Sequence, residues 1–257
     1  MQGMKRRKRE HNRYYGTIDE TGLRRYHEKV LQILSNYKCD KLLDIGCGDG
    51  SFTILIGKTC EAKEVYGVEI SEKAVKFAEK RGIKVFQLDI DEEDFPFEDN
   101  YFDAIFAGEI IEHLYNPDHL LEEVYRILKN KGIFLITTPN LASFYNRVSL
   151  LLGYQPFYTN VSIKKSIGHL IEFEYFKERD IVPFGDHIRL FTLRSLKEML
   201  KSYGFKIKSV QGSTATALVF WRFSFLIKFL DRILEYFPSL STTLIIVAQK
   251  EIQKEIL

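Results

Sequence analysis

Apolar residues at Tyr26, Val30, Leu31 and Leu34 repeat with the 3.6-residue period of a helix, which predicts an amphipathic helix over roughly 19–37. Beyond it the pattern shortens. Lys41–Ile45, Glu64–Ile70 and Ile83–Leu88 are brief apolar runs, with room for helices at 51–60 and 72–81 between them. A fourth run covers Phe102–Ala107. Asn116 and Pro117 then supply a helix cap and a first helical position ahead of the stripe Leu120, Leu121, Val124, Ile127 and Leu128. Lys131-Gly132 is expected to end that helix before a fifth run, Ile133–Thr137, stopped by Pro139. Thr192 caps a later helix carrying Leu193, Leu196, Met199 and Leu200, and Phe205–Val210 and Thr243–Ala248 are the last two runs. Strands alternating with helices imply parallel pairing through right-handed crossovers. The expected fold is therefore α/β: a doubly wound, mostly parallel seven-stranded sheet with an N-terminal helix and an insert after the fifth strand.

Two stretches depart from the alternation. Residues 141–187 leave the carboxyl end of the fifth strand, where open α/β sheets bind ligands, and are expected to cover a substrate. Residues 211–240 contain the most apolar run, Leu218–Leu230, interrupted by Arg222 and Lys228. That arm could lie in a membrane interface, cover a lipid-tailed substrate, form a dimer face or pack as a helix on the sheet edge. With neither repeats nor a low-complexity linker, residues 19–257 form one domain.

Composition narrows the class. The 257 residues are 45% hydrophobic and 28% charged, an ordinary globular balance. No apolar run reaches the ~18 residues of a membrane span, and the N-terminus has no apolar segment of a secretory signal. Three cysteines without metal-ligand spacing, Cys39, Cys47 and Cys60, read as free thiols of a reducing compartment, so the expected location is the cytoplasm, with attachment to a membrane surface left open. The net charge of +2 is uneven. Residues 1–13 hold an excess of five positive charges, leaving −3 on the rest. Residues 1–18 are thus expected to be a basic, flexible tail, and the acidic remainder weighs against a nucleic-acid partner.

The candidate chemistry gathers at strand ends. Leu42-Leu43-Asp44-Ile45-Gly46-Cys47-Gly48-Asp49-Gly50 is a strand entering a glycine turn and then a helix, where backbone N–H groups can approach a ligand closely. Glu69 ends the second strand, placed for ribose hydroxyls; Asp89 ends the third, placed for an exocyclic amine. Asp44 is acidic where a dinucleotide fold has an apolar residue. That suits a cationic ligand and argues against a nicotinamide dehydrogenase.

These segments resemble those of class I S-adenosylmethionine-dependent methyltransferases, over roughly residues 25–210 and the last strand. The resemblance implies a Rossmann-like methyltransferase fold and a cofactor site of Asp44, Gly46, Cys47, Gly48 and Gly50 in the first motif. Glu69 with Ile70 would hold the ribose, Asp89 with Ile90 would flank the adenine, and Gly108 with Glu109 would line the methionine portion.

Glu109-Ile110-Ile111-Glu112-His113 follows the fourth strand. Were this turn helical, Glu109, Glu112 and His113 would share one face. His113 with Glu112 then reads as a catalytic pair, His113 being the base. Alternatively, Glu109, Glu112 and His113 with His187 form a divalent-metal site, with Asp186 as a further candidate. The segment is similar to those of the ubiquinone-biosynthesis O-methyltransferases and the small-RNA 3′-terminal 2′-O-methyltransferases, both of which use metal there. His27 and His119 are expected to be surface or packing residues. The expected activity is methyl transfer to oxygen, or to nitrogen, of a small acceptor that is lipid-linked or contains a sugar. Metal-dependent RNA 2′-O-methylation and cofactor binding without turnover are the alternatives.

Overall fold

The computed structural model describes residues 23–162, 164–170, 187–214 and 224–251. The basic tail, most of 171–187 including Asp186, and residues 215–223 of the arm lie outside the described residues.

Helix α1, Arg25–Leu34, begins later than its periodicity predicts. Arg24 is extended, and His27 Nδ1 accepts a hydrogen bond from its backbone N–H at 3.0 Å, which fixes the helix start. His27 is buried between Tyr26 and Phe52, as a packing residue. There follow β1 (Lys41–Ile45), α2 (Ser51–Thr59), β2 (Glu64–Glu69), α3 (Glu72–Lys80), β3 (Lys84–Gln87) and β4 (Phe102–Gly108). Next come α4 (Pro117–Ile127), β5 (Leu128–Pro139), α5 (Phe144–Leu151), α6 (Leu193–Ser202), β6 (Phe205–Ser213), α7 (Ser224–Glu235) and β7 (Thr243–Lys250).

Among the described residues these strands form one sheet in the order β3-β2-β1-β4-β5-β7-β6. The first five run parallel; β7 is antiparallel to both its neighbours. The sheet is thus the expected doubly wound, mostly parallel one. The Lys131-Gly132 stop is corrected. The α4 helix ends at Ile127 and the chain passes directly into β5, pairing Leu128 with Phe102 before a register shift. Lys131 is left-handed, at φ 65°, so this turn lies within β5 rather than closing a helix.

Successive strand residues face opposite cores, as a two-sided sheet requires. Leu43, Ile105, Phe134 and Ile246 pack with Leu120 and Leu121 of α4 and Leu196 of α6. On the other face, Leu42, Phe106, Leu135 and Val247 pack with Val30 of α1 and Ile56 of α2. The three cysteines are buried. The arm's described part resolves into the end of β6 and α7, which packs against β6, in line with a helix at the sheet edge.

Candidate active site

Every parallel strand ends at the same edge of the sheet, and the chemistry-bearing residues collect there. After β1 the chain turns through Gly46, Gly48 and Gly50, with φ of 74°, 56° and 78°. L-residues with side chains rarely adopt this conformation. At Gly46 a Cβ would also collide with the Ile110 side chain. Gly50 is the N-cap of α2, so the loop runs straight into a helix start, where backbone N–H groups lack intrahelical partners.

Glu69 closes this loop. Its Oε2 accepts from Gly48 N–H at 3.0 Å and its Oε1 from Ser71 N–H at 2.9 Å, so one buried carboxylate ties the turn after β1 to the turn after β2. Asp44 is buried beneath, accepting from Thr53 Oγ1 at 2.6 Å. Burial pushes its carboxyl up to about 7 against that hydrogen bond, and the Glu69 charge adds to the rise. Cys47 is buried in the loop against the position a Gly67 Cβ would take. Asp89 is buried after β3, its Oδ1 accepting from Asp91 N–H and its N–H donating to Glu93. Ile70 and Ile90 are half-buried beside their carboxylates.

Beyond β4 the expected helical turn is not formed. Glu109 is left-handed at φ 54°, and a 3-10 turn begins only at Ile111. Glu109 thus lies outside the group of side chains whose ligand atoms converge among the described residues. Its Oε1 is buried and accepts no hydrogen bond among the described residues, and desolvation pushes the carboxyl up to about 7. Thr137 and the Arg24 guanidinium oppose that rise.

Glu112, His113 and His187 do converge, with one potential ligand atom from each lying within 4.8 Å of the others. Backbone pairing explains how. Ile188 and Arg189 N–H groups both donate to the Glu112 carbonyl, at 2.8 and 3.0 Å, which lays the returning chain against the 3-10 turn. The two imidazoles meet edge to face at 4.8 Å between centroids. Glu112 is fully buried, its Oε2 accepting from Thr138 Oγ1 at 2.9 Å and its Oε1 lying 3.9 Å from His113 Nε2. His187 Nδ1 donates to the Tyr158 carbonyl at 3.1 Å, which places the neutral ring's lone pair on Nε2.

Three contributors were not singled out by the sequence. Tyr26 of α1 faces the site: burial, then the charges of Glu109, Glu112 and Asp44, drive its phenol well above the usual range. Tyr158, left-handed at φ 69°, brings the insert onto His187, and burial beside Glu109 pushes its phenol up to about 12. Thr138 orients Glu112. Thr137, Thr138 and Asn140 are all buried polar residues ending an otherwise apolar strand, and that interruption is the signal which could have found Thr138.

A family model described as a methyltransferase domain matches residues 11–210. A probable S-adenosylmethionine-dependent methyltransferase of Mycolicibacterium smegmatis is 27% identical over 207 residues, 80% of this chain and 77% of that protein. A demethylmenaquinone methyltransferase of Thermotoga maritima is 25% identical over 189 residues, 71% of this chain and 77% of that protein. Among solved structures, a Thermotoga maritima S-adenosylmethionine-dependent methyltransferase, titled as a possible histamine N-methyltransferase, is similar in fold. It covers 88% of this chain and 89% of its own at 20% identity, with a TM-score of 0.56. With the parallel sheet, the glycine turn and the carboxylates at its strand ends, this match establishes that the chain belongs to the class I S-adenosylmethionine-dependent methyltransferases.

Proposed function

We propose that the protein transfers a methyl group to an oxygen of a small, lipid-linked or sugar-containing acceptor, and that His113 removes the acceptor's proton. The observation carrying this reading is the approach of Glu112, His113 and His187 beside the end of β4. The cofactor fits the residues present: a turn of left-handed glycines admits close backbone approach, and the buried Asp44 carboxylate and the partly buried Glu109 carboxylate suit a cationic ligand. Asp44, Gly46, Cys47, Gly48 and Gly50 would cradle it, Glu69 and Ile70 the ribose, Asp89 and Ile90 the adenine, and Gly108 and Glu109 the methionine portion. When bound, the cofactor supplies an electrophilic methyl on a sulfonium leaving group. The chain's own work is then alignment, exclusion of water and removal of one proton. Positioning contributes about 7–11 kcal/mol to such reactions, and a placed base a factor of about 100 to 10,000. Glu112, held by Thr138, keeps a carboxylate beside the His113 ring, which favours the imidazolium formed on proton transfer.

A second reading rests on the same cluster. Glu112, His113 and His187 offer one carboxylate and two imidazoles, and the His187 Nδ1 contact to a carbonyl is the outer arrangement common for a metal-bound histidine. Incorporation of labelled methyl groups from S-adenosylmethionine separates the readings. If His113 is the base, activity withstands a chelator, His113→Ala lowers kcat by about 100- to 10,000-fold and His187→Ala costs much less. Loss of activity on chelation, its return with a divalent ion, and equal damage at His187 would replace the base with a metal.

The carboxyls of Asp44 and Glu109 predict proton-linked cofactor binding. Burial pushes both carboxyls up to about 7, far above the ordinary carboxylate range of about 4. Such raised groups stabilise the fold at low pH and withdraw that stabilisation as pH rises from about 4 through 7. A cationic ligand prefers the ionised forms, so its binding expels protons. Affinity should rise with pH through 7 and level off above about 8, with a slope of up to about tenfold per unit for each group. Calorimetry in buffers of different ionisation enthalpy checks this; binding heats independent of buffer at pH 7 would refute it.

A further inference from the structure

Two helices at the site's edge bury polar side chains while leaving large apolar ones exposed. Helix α5 buries Asn146 and Ser149, each 0% exposed, while Leu150, Leu151 and Leu152 at its end stand in solvent, Leu151 at 86%. Helix α7 turns Asp231 and Leu234 inward and presents Phe229 and Ile233 outward, and Tyr236, directly after the helix, is 84% exposed. The inward sides of both helices are held by polar bonds. Asp231 accepts from Tyr145 of α5 at 2.7 Å, and Glu235 pairs with Arg25 and Lys29 of α1. The Tyr145–Asp231 bond also sets the two helices side by side, and Arg147 of α5 reaches the Ser239 carbonyl beyond α7.

Charge selects the partner. Residues 141–170 contain Arg147, Lys164 and Lys165 and no aspartate or glutamate. Residues 211–230 contain Arg222 and Lys228, again without an acid, and the two acids of α7 are the inward Asp231 and the paired Glu235. Arg147, Lys164, Lys165 and Arg232 are exposed. Basic side chains among outward leucines and aromatics match the boundary of an anionic bilayer, where apolar groups enter the acyl region and cations meet headgroups. A second copy docked on the same face would set like charges together, since the described residues of 141–170 and of α7 offer no exposed carboxylate to receive them. No described helix is long and apolar enough to cross a membrane, so the match is to a surface.

We propose that the outward faces of α5 and α7 form a docking surface for anionic phospholipid bilayers. Both helices lie at the carboxyl edge of the sheet, and the insert that follows α5 places the Tyr158 carbonyl on His187, so docking sets the candidate site at the lipid boundary. The inference deepens the reading of a lipid-linked acceptor but is measured without turnover.

The test is flotation of the full chain with vesicles of phosphatidylcholine alone or with added phosphatidylglycerol. Expected is binding to the anionic vesicles, little to the neutral ones, and weakening with salt. Leu151→Glu and Tyr236→Glu should each weaken binding by about tenfold or more, since a carboxylate replaces an inserted apolar group. Both positions are exposed, so melting temperature and S-adenosylmethionine affinity should be unchanged. Absence of binding to anionic vesicles, or variants that bind as wild type, would overturn the proposal. So would light scattering that shows a dimer which these variants split, because the face would then belong to a second copy. Unaltered cofactor affinity in a chain that ignores vesicles would sink the docking surface and leave the methyltransferase reading standing.

Discussion

Gly46→Val is expected to remove measurable S-adenosylmethionine binding. The residue sits at φ 74°, a conformation that costs a side-chain-bearing residue about 1–3 kcal/mol and a β-branched one most. The new Cβ would also overlap the Ile110 side chain, which belongs to the segment between β4 and the 3-10 turn. Relief therefore requires either the glycine loop or the Glu109–His113 segment to move, and both flank the same site. Overpacking of this kind adds about 1–3 kcal/mol. Together the two effects correspond to a loss of affinity of about 100-fold or more. Calorimetry supplies the affinity, and melting temperature separates a displaced loop from an unfolded chain. Gly46→Ala keeps the φ and contact penalties with a smaller group, and should bind with intermediate affinity. Wild-type binding by both variants would show that the loop does not approach the cofactor.

The second large effect is expected at Glu69. Its carboxylate receives backbone N–H groups from Gly48 and Ser71, so it shapes the glycine turn as well as offering oxygens toward the sheet edge. Charge-assisted hydrogen bonds are worth about 1.5–3 kcal/mol each. Glu69→Ala should weaken S-adenosylmethionine binding by about 10- to 100-fold, through lost ribose contacts and a loosened turn together. Glu69→Gln separates the two. It keeps one carbonyl oxygen to accept from the turn but lacks the second acceptor and the charge, so it should restore melting temperature more fully than affinity. An alanine variant with native affinity would move the ribose contact elsewhere.

The parts of this molecule legible in its sequence are those set by neighbours along the chain. Short apolar runs between glycines gave β1, β2 and β4, and Asn116-Pro117 gave the start of α4, because a cap and a fixed proline φ act within one turn. The glycine turn and the carboxylates ending β2 and β3 were legible for the same reason. What periodicity could not show was backbone conformation at single residues. Glu109 has the spacing of a helical neighbour to Glu112 and His113, yet it is left-handed and lies outside the group whose ligand atoms converge among the described residues. The Lys131-Gly132 pair marks a turn, but whether a turn ends a helix or interrupts a strand depends on the Phe102–Leu128 pairing across the sheet. Convergence was the other hidden quantity. His187 reaches His113 through two hydrogen bonds to the Glu112 carbonyl, and Tyr158 reaches His187 from within the insert. These are long-range contacts that leave no period in the chain.

The place of β7 has a consequence for the order in which the molecule can be built. Strands β3, β2, β1, β4 and β5 pair in parallel using residues up to Pro139, so that half of the sheet can close while the ribosome is still adding α6 and β6. When β6 emerges it has no partner, because among the described residues its sole neighbour is β7, which follows it in the chain. Until Thr243–Lys250 arrives, β5 keeps an open edge along Ile133–Ile136, a run that the finished sheet buries. An unpaired apolar edge of this kind templates association with other chains. Completion is thus a single late event, in which β7 pairs with β5 on one side and β6 on the other. Ribosome-bound chains arrested before residue 243 should be the ones that chaperones hold.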